Sequence, residues 1–261
     1  MITGLSAVIL GLVEGFTEFL PISSTAHLIL VSKLLGISQS NFVKSFEIAI
    51  QSGAILAVLV LYWRKFLNIE TLKKVAIAFI PTGIIGLALY KILKEHLLGN
   101  MLVMLLALGI GGALLIAFEY LFAKKIEAQP SVVDGTDGIS YKKAFGVGIF
   151  QSVAMVPGVS RAAATIIGGM LMGIRRETIV EFSFLLAVPT MLAATGLDLV
   201  KNIDVFSASD MGIILIGLVT SFVMAIVSIK FLLRYVKRNT FTIFGVYRVA
   251  LALAFLLVLW P

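Results

Sequence analysis

Two acidic residues stand within the first apolar stretch of the sequence, where charged side chains are rare. Glu14 and Glu18 are four residues apart, so on a helix they share one face. Two like charges repel there, and each costs roughly 2.5–3.5 kcal/mol at the middle of a membrane helix. A bound divalent cation, a nearby arginine or a shared proton would offset that cost, whereas glutamates that reach the membrane interface would need none of these. The pattern favours a functional site.

Three hydroxyl side chains follow directly after Pro21, at the start of the next apolar stretch. They are Ser23, Ser24 and Thr25. Backbone amides at the start of a helix attract an anion, and helix capping alone would need only one of these hydroxyls. His27 stands about one helical turn after Ser24 and could take a proton from the Ser24 hydroxyl. A histidine in a membrane helix could equally be a packing or hydrogen-bonding residue.

A second polar group follows the break Pro157-Gly158 in another apolar stretch. Arg161 comes three residues after the glycine, with Ser160 before it and Thr165 after it. A guanidinium group is a planar fork that matches phosphate oxygens, and the two hydroxyls could add contacts. The alternative is a structural ion pair between the arginine and a glutamate of the first group, which is compatible with a shared phosphate.

The composition indicates that membrane helices hold these residues. Hydrophobic types make up 60% of the 261 residues and charged types 13%, and the mean hydropathy is +1.08, whereas soluble domains have about a quarter charged residues. The apolar runs are long and do not alternate, which favours helices over a barrel. The net charge of +7 is explained by basic cytoplasmic loops, so we expect no nucleic-acid partner.

Six apolar stretches are long enough to cross a bilayer, which takes roughly 20 residues. They are Phe42–Trp63, Val75–Leu93, Met101–Ala123, Thr178–Val200, Met211–Phe231 and Phe241–Trp260. Two further stretches are broken into short halves. These are Ile2–Leu20 with Ile22–Leu35, and Ala144–Val156 with Val159–Ile174. Irregular backbone at membrane depth requires a covering of protein or a water-filled cavity, so we expect two re-entrant helical hairpins.

The sequence also repeats itself weakly. The shift that puts Glu14 on Gln151 puts Ser23 on Ser160 and Ser24 on Arg161. Each half consists of a broken hairpin and three spans, and because three is odd the halves must have opposite orientations. We therefore expect an all-α integral membrane protein with six transmembrane helices and two re-entrant hairpins in an inverted-topology repeat. It would form a single membrane domain, with a first half 1–123, a cytoplasmic linker 124–142 and a second half 143–261.

The basic residues of the loops predict the orientation. Most of them lie in four loops on one side: Arg64, Lys65, Lys73, Lys74, Lys124, Lys125, Lys142, Lys143, Arg175, Arg176, Lys230, Arg234, Lys237 and Arg238. Positively charged loops face the cytoplasm, so both termini should lie outside. The first hairpin would then enter from the outer side and the second from the cytoplasm. Glu119 is expected at the interface, near Lys124 and Lys125.

These residues resemble the bacterial undecaprenyl-diphosphatase family, also called the bacitracin-resistance proteins, along essentially the whole chain. The most specific matches are Glu14-x-x-x-Glu18-Phe-Leu-Pro-Ile-Ser23-Ser24-Thr25-x-His27, Pro157-Gly158-x-Ser160-Arg161, Phe46-Glu47 with Gln51, and Glu181–Pro189. The chain departs from the family pattern at Ala26, Ala162 and Ala163, where the family usually has glycine, serine and glycine. The lost hydroxyl at Ala162 removes one possible phosphate contact.

The resemblance implies hydrolysis of undecaprenyl diphosphate to undecaprenyl phosphate and inorganic phosphate, which recycles the lipid carrier for peptidoglycan and confers bacitracin resistance. It implies a multi-pass protein of the bacterial inner or plasma membrane, with a site open to the outer face. The catalytic residues would be Glu18, Ser24, His27 and Arg161. Glu14 and Glu18 would bind Mg²⁺ or Ca²⁺, and the substrate contacts would be Ser23, Thr25, Gln51, Ser160 and Thr165.

Several alternatives stay open at this point. The nucleophile could be Ser24, His27 or a metal-activated water, and nothing in the sequence predicts the oligomeric state. A transporter or flippase of a polyprenyl phosphate lipid would share the repeat and the broken helices but would need no nucleophile. A lipid phosphatase of the phosphatidic-acid type would need a second catalytic histidine, and the other histidine, His96, lies in a predicted outer loop without matching context.

Overall fold

The computed structural model describes residues 2–92, 100–128, 133–201, 207 and 210–259. Within these residues the fold is all-helical, with one isolated parallel bridge between Val133 and Ile174. The helices are α1 (Gly4–Thr17), α2 (Ser24–Leu34), α3 (Asn41–Phe66), α4 (Ile69–Ile92), α5 (Met101–Phe118), α6 (Lys124–Glu127), α7 (Tyr141–Ser152), α8 (Arg161–Leu171), α9 (Arg176–Lys201), α10 (Met211–Val236) and α11 (Thr242–Leu259). A π-helical turn, Glu119–Ala123, extends α5, and short 3₁₀ turns form at Thr136–Gly138 and Val153–Met155.

Five helices are long and apolar enough to cross a membrane. They are α3, α4, α5 with its π turn, α9 and α10, and each coincides with one of the predicted spans over the described residues. The sixth predicted span forms α11, which counts among the shorter apolar helices. The predicted end residues Leu93 and Trp260, together with His96 and the linker residues 129–132, lie outside the described residues.

Helix α3 is longer than its apolar run because polar residues extend both of its ends. Ser40 caps α3 by accepting a hydrogen bond from the amide of Val43, so α3 begins before the predicted Phe42. Its last turn continues past the predicted Trp63 through Arg64 and Lys65, where basic side chains are favoured by the helix dipole.

Both predicted breaks are present. Helices α1, α2, α7 and α8 are 11 to 14 residues long, too short for a span of roughly 20 residues. Proline has no amide hydrogen to continue a helix, and Pro21 separates α1 from α2. Gly158, with a φ of +95°, lies between α7 and α8. The backbone therefore turns at the two places where the sequence predicted interruptions.

The helices of the two halves pack into each other rather than side by side. Helix α1 lies along α10 and contacts α3, α7 lies along α4, and the pairs α3–α9 and α5–α11 join the halves. Close packing of α1 depends on Gly11 and Gly15, where an added Cβ would collide with the backbone of α10. The most enclosed span is α9. In its most apolar stretch 61% of the residues are buried, against 28% in α10, so α9 lies at the centre.

The sequence suggested an interfacial Glu119 near Lys124 and Lys125, and the structure shows that this side chain is buried within the protein and paired with Arg176. Glu119 is 5% exposed and accepts two hydrogen bonds from the Arg176 guanidinium and one from the amide of Phe241. The Arg176 guanidinium also lies over the Phe241 ring, 4.9 Å from its centroid. This buried pair connects the end of α5 with the starts of α9 and α11.

Candidate active site

The two breaks meet at one cavity of about 140 Å³. Its lining combines the first break, one residue of α3, the second break and one residue of α9: Glu18, Ser23, Ser24, Thr25, Gln51, Ala154, Val156, Pro157, Gly158, Ser160, Arg161 and Met191. Seven of the ten predicted site residues are in this set. Glu14, His27 and Thr165 are not. His27 and Thr165 lie on α2 and α8, which line the cavity with other residues, and Glu14 lies in the last turn of α1, just before Glu18.

An ion pair joins the two breaks across the cavity. Arg161 Nη2 donates to Glu18 Oε1 at 3.1 Å, and the two side chains are only 11% and 8% exposed. Arg161 Nη1 donates to the carbonyl oxygen of Ser183 at 2.9 Å, which anchors the guanidinium to α9. Its Nε is buried without a hydrogen-bond partner among the described residues. The ion pair that the sequence offered as an alternative for Arg161 is therefore formed, with Glu18 as the partner, and both residues line the cavity.

The Ser24 hydroxyl contacts the other oxygen of the same carboxylate. Ser24 Oγ donates to Glu18 Oε2 at 2.5 Å, while Glu18 Oε1 accepts from Arg161. Glu18 thus links a potential nucleophile to a cation. A carboxylate in this position has the geometry of a general base that would take the proton of the hydroxyl.

His27 does not make the predicted contact with Ser24. Its Nδ1 lies 2.8 Å from the carbonyl oxygen of Ser23, and its Nε2 lies 2.7 Å from the hydroxyl oxygen of Tyr247. The rings of His27 and Tyr247 stack with centroids 5.5 Å apart. Long side chains on a helix point back toward its N-terminus, so the imidazole reaches the Ser23 carbonyl behind the cavity instead of the Ser24 hydroxyl.

Glu14 is fully buried behind Glu18. It is 0% exposed, it stands about one helical turn before Glu18, and no donor from the described residues satisfies either of its oxygens. A buried carboxylate is costly unless it is paired or binds a metal. Two neighbouring carboxylates, of which Glu14 has both oxygens unsatisfied, fit a hard divalent cation, which also accepts oxygen ligands from a substrate phosphate. The described residues contain no cluster of three or more acidic, histidine or cysteine ligands, so substrate oxygens would have to complete the coordination.

The starts of α2 and α8 differ in their caps. Ser160 Oγ accepts a hydrogen bond from the amide of Ala163 at 3.2 Å, which caps α8. Ser23 makes no such bond, so the first amides of α2 have no side-chain cap from it. Unsatisfied amides at a helix start bind anions. The start of α2 therefore suits a phosphate group, next to the Ser24 hydroxyl.

Thr165 and Gln51, both predicted substrate contacts, have different positions. Thr165 is fully buried and its hydroxyl bonds with Ser183 Oγ at 2.7 Å, so it supports the α8–α9 packing beneath Arg161. Gln51 lines the cavity from α3.

Two residues at the site were missed by the sequence prediction. Ser183 holds Arg161 and Thr165, and its position inside the matched segment Glu181–Pro189 was the available signal. Tyr247 holds His27, and its only signal was a hydroxyl next to the buried cation Arg248 in an apolar stretch.

The chain is similar to known proteins along nearly its whole length. Residues 7–254 match the family model described as bacitracin resistance protein BacA. The chain is 50% identical over 255 residues to the undecaprenyl-diphosphatase of Sulfurihydrogenibium sp. (strain YO3AOP1), covering 98% of this chain and 99% of that protein. It is 52% identical over 254 residues to that of Persephonella marina, covering 97% and 98%, and 45% identical over 257 residues to that of Bdellovibrio bacteriovorus, covering 98% and 96%. The chain belongs to the bacitracin resistance protein BacA family.

Proposed function

We propose that this protein is an undecaprenyl-diphosphatase. It hydrolyses undecaprenyl diphosphate to undecaprenyl phosphate and inorganic phosphate, recycles the lipid carrier for peptidoglycan synthesis and confers bacitracin resistance. The observation that carries the proposal is the pair of hydrogen bonds accepted by the Glu18 carboxylate. One oxygen accepts from the Ser24 hydroxyl and the other from the Arg161 guanidinium. The names of the relatives, 45–52% identical along nearly the whole chain, support the same substrate.

The arrangement supports a two-step phosphoryl transfer. Ser24 Oγ attacks the terminal phosphorus, Glu18 takes the hydroxyl proton, and the bond from that phosphorus to the bridging oxygen breaks, which releases undecaprenyl phosphate. Water then attacks the phosphoserine, releases inorganic phosphate and restores the serine. Such reactions gain mainly from positioning and charge stabilisation. Arg161 and the uncapped amides of α2 would supply that stabilisation at the terminal phosphoryl group.

Glu14 and Glu18 would hold a divalent cation, Mg²⁺ or Ca²⁺. When bound, the cation supplies positive charge that neutralises the diphosphate oxygens. The support is the pair of adjacent carboxyl groups, with both oxygens of Glu14 buried and unsatisfied by the described residues.

The finer architecture is also part of the proposal. All six predicted spans cross the membrane, the pairs α1–α2 and α7–α8 are re-entrant, and the halves form an inverted repeat. Ser23 and Ser160, which the sequence repeat aligns, both have a positive φ, +71° and +76°, and in the described residues they alone do so apart from glycines. The packing of α1 on α10 also has a counterpart in the packing of α7 on α4.

The distribution of loop charge supports an orientation in the bacterial inner or plasma membrane. The side rich in lysine and arginine faces the cytoplasm, and the first hairpin enters from the outer side. The cavity then opens toward the outer face, where the diphosphate lipid would enter laterally from the bilayer.

The test is phosphate release from undecaprenyl diphosphate by the purified protein in detergent. We expect turnover by the wild type, and losses of about 10²–10⁴-fold in kcat for Ser24→Ala and Glu18→Gln, because each removes a partner of the proton transfer. Arg161→Lys should also lose activity, since lysine cannot reproduce the planar fork.

The matched controls are Ser152→Ala, Glu70→Gln and Arg175→Lys, which alter the same residue types outside the cavity lining. Each should keep near-wild-type turnover. A folded wild type that binds the lipid but releases no phosphate would instead support a transporter. Near-normal turnover of Ser24→Ala would exclude Ser24 as the nucleophile.

A further inference from the structure

Arg248 on α11 is a buried cation that the chemistry described above does not use. Its side chain is 0% exposed, it does not line the cavity, and no acidic side chain of the described residues forms a salt bridge with it. A buried arginine without a carboxylate is costly unless its N–H groups find other acceptors. The identity of those acceptors therefore indicates its role.

All of its acceptors are backbone carbonyl oxygens, and they belong to three separate segments. Nη1 donates to Pro21 at 3.2 Å, and Nη2 donates to Gly158 at 3.0 Å. Nη2 also donates to Ala107 at 3.3 Å, and Nε donates to Leu108 at 3.2 Å. One guanidinium thus joins the first break, the second break and α5.

The bonds to Pro21 and Gly158 fall at equivalent points of the two breaks. Pro21 precedes Ser24 by three residues, and Gly158 precedes Arg161 by three residues. Between each clamped carbonyl and the reactive side chain stands a serine with positive φ, Ser23 or Ser160. Such a conformation costs about 1–3 kcal/mol and persists only when the surroundings hold it. The guanidinium is one of the contacts that hold both turns.

The packing around the guanidinium leaves little freedom. Gly111 on α5 lies directly against it, and an added Cβ there would collide with Nη2 and Cζ of Arg248. A rigid planar fork that fills a fitted space fixes the distance between its acceptors, whereas the flexible ammonium of a lysine would not.

We propose that Arg248 is a positioning residue that fixes the two breaks relative to each other, so that Ser24 and Glu18 stay in register with Arg161. It acts through backbone carbonyls and does not touch the substrate. The proposal rests on the proposed function for its effect on turnover, but the clamp itself is independent of that function.

The experiment combines hydrogen–deuterium exchange with kinetics on the full chain in detergent, comparing wild type, Arg248→Lys and Gly111→Ala. Gly111→Ala displaces the guanidinium without changing the sequence of α11. This variant tests the proposal even if Arg248→Lys does not fold. Gly196→Ala is the control, because an added Cβ there meets nothing within 4 Å.

Both variants should show faster exchange in the peptides that contain Pro21–Thr25 and Gly158–Arg161, with the helices other than α5 and α11 unchanged. Their kcat per folded molecule should fall by about 10- to 100-fold, as for a small misplacement of reactive groups, while KM changes much less. A purely structural role would lower the amount of folded protein and leave kcat of the folded fraction intact.

Unchanged exchange at the breaks, or a change at only one of them, would overturn the clamp. Faster exchange at both breaks with an unchanged kcat would overturn the positioning role. If the wild type itself released no phosphate, the proposed function would fail, and the exchange measurement would still decide whether Arg248 holds both breaks.

Discussion

At the scale of single residues, Glu18 is the centre of the site. The sequence could predict that Glu18, Ser24 and Arg161 belong together, because each is a polar residue close to a break in an apolar stretch. It could not predict which residue contacts Ser24. The spacing of Ser24 and His27 suggested a pair, but the imidazole reaches back to the Ser23 carbonyl, and the Ser24 hydroxyl donates to Glu18 across the turn.

The first prediction concerns how His27 acts. If His27 holds the Ser23 turn through its bond to Tyr247, then Tyr247→Phe should reproduce part of the loss caused by His27→Ala. Removal of one hydrogen bond is worth about 1 kcal/mol, so we expect roughly a fivefold loss of kcat for Tyr247→Phe. The double variant should be little worse than His27→Ala alone, as measured in a double-mutant cycle. Fully additive losses would show that the two residues act separately.

The second prediction concerns the metal. Removal of divalent cations with a chelator should abolish phosphate release, and added Mg²⁺ or Ca²⁺ should restore it, because hard oxygen ligands suit either ion. Glu14→Gln should raise the cation concentration needed for half-maximal activity. Glu70→Gln, an exposed carboxylate on α4, should leave that concentration unchanged. Full turnover in excess chelator would rule the cation out.

At the scale of elements, the breaks could be predicted and their backbone conformation could not. Proline and glycine interrupt helices for steric reasons that are visible in the sequence. A positive φ is expected of glycine, however, and at Ser23 and Ser160 it occurs in a residue with a side chain, which only tertiary contacts can enforce. The partner of Glu119 was missed for a similar reason, since Arg176 is distant in sequence and the nearby Lys124 and Lys125 offered a local alternative.

The third prediction follows from that buried pair. Glu119→Gln should lower the free energy of unfolding by about 3–5 kcal/mol, because it leaves the Arg176 charge buried without its counter-charge. Glu70→Gln breaks an exposed pair with Lys73 and should cost no more than about 1 kcal/mol. Thermal unfolding of the two variants in the same detergent makes the comparison. Equal midpoints would contradict the importance assigned to the buried pair.

At the scale of the whole molecule, the spans could be predicted from apolar run length, but their neighbours could not. Lipid-facing and protein-facing helices are both apolar, so composition does not reveal that α9 is central and α10 peripheral. The positions of glycines indicate in part which helix faces pack closely against another helix. Gly11 and Gly15 on α1 lie against the backbone of α10, yet nothing in the sequence names α10 as their partner.

The fourth prediction tests the orientation with single cysteines, which the cysteine-free chain allows without background. A cysteine at Gly4, which is exposed, should react with a membrane-impermeant maleimide on intact cells. A cysteine at Leu67, 70% exposed in the α3–α4 loop, should react only after permeabilisation. Thr71 in the same region is only 2% exposed and would report poorly. Labelling of both positions in intact cells would refute the proposed orientation.

The packing of α1 against α10 also determines when, during synthesis of the chain, the site can form. Helix α1 is made first, but the groove that receives its glycine face is completed only when α10 emerges, about 190 residues later, and at about 5–20 residues per second this takes on the order of 10–40 s. During that interval Glu14 and Glu18 lack the arginine of α8 for much of the time and the cover of α10 throughout. Arg248, on the last helix, arrives later still. The reaction centre is therefore assembled at the end of translation, and a ribosome that stalls before α11 leaves a chain with every acidic residue of the site and no clamp across its two breaks.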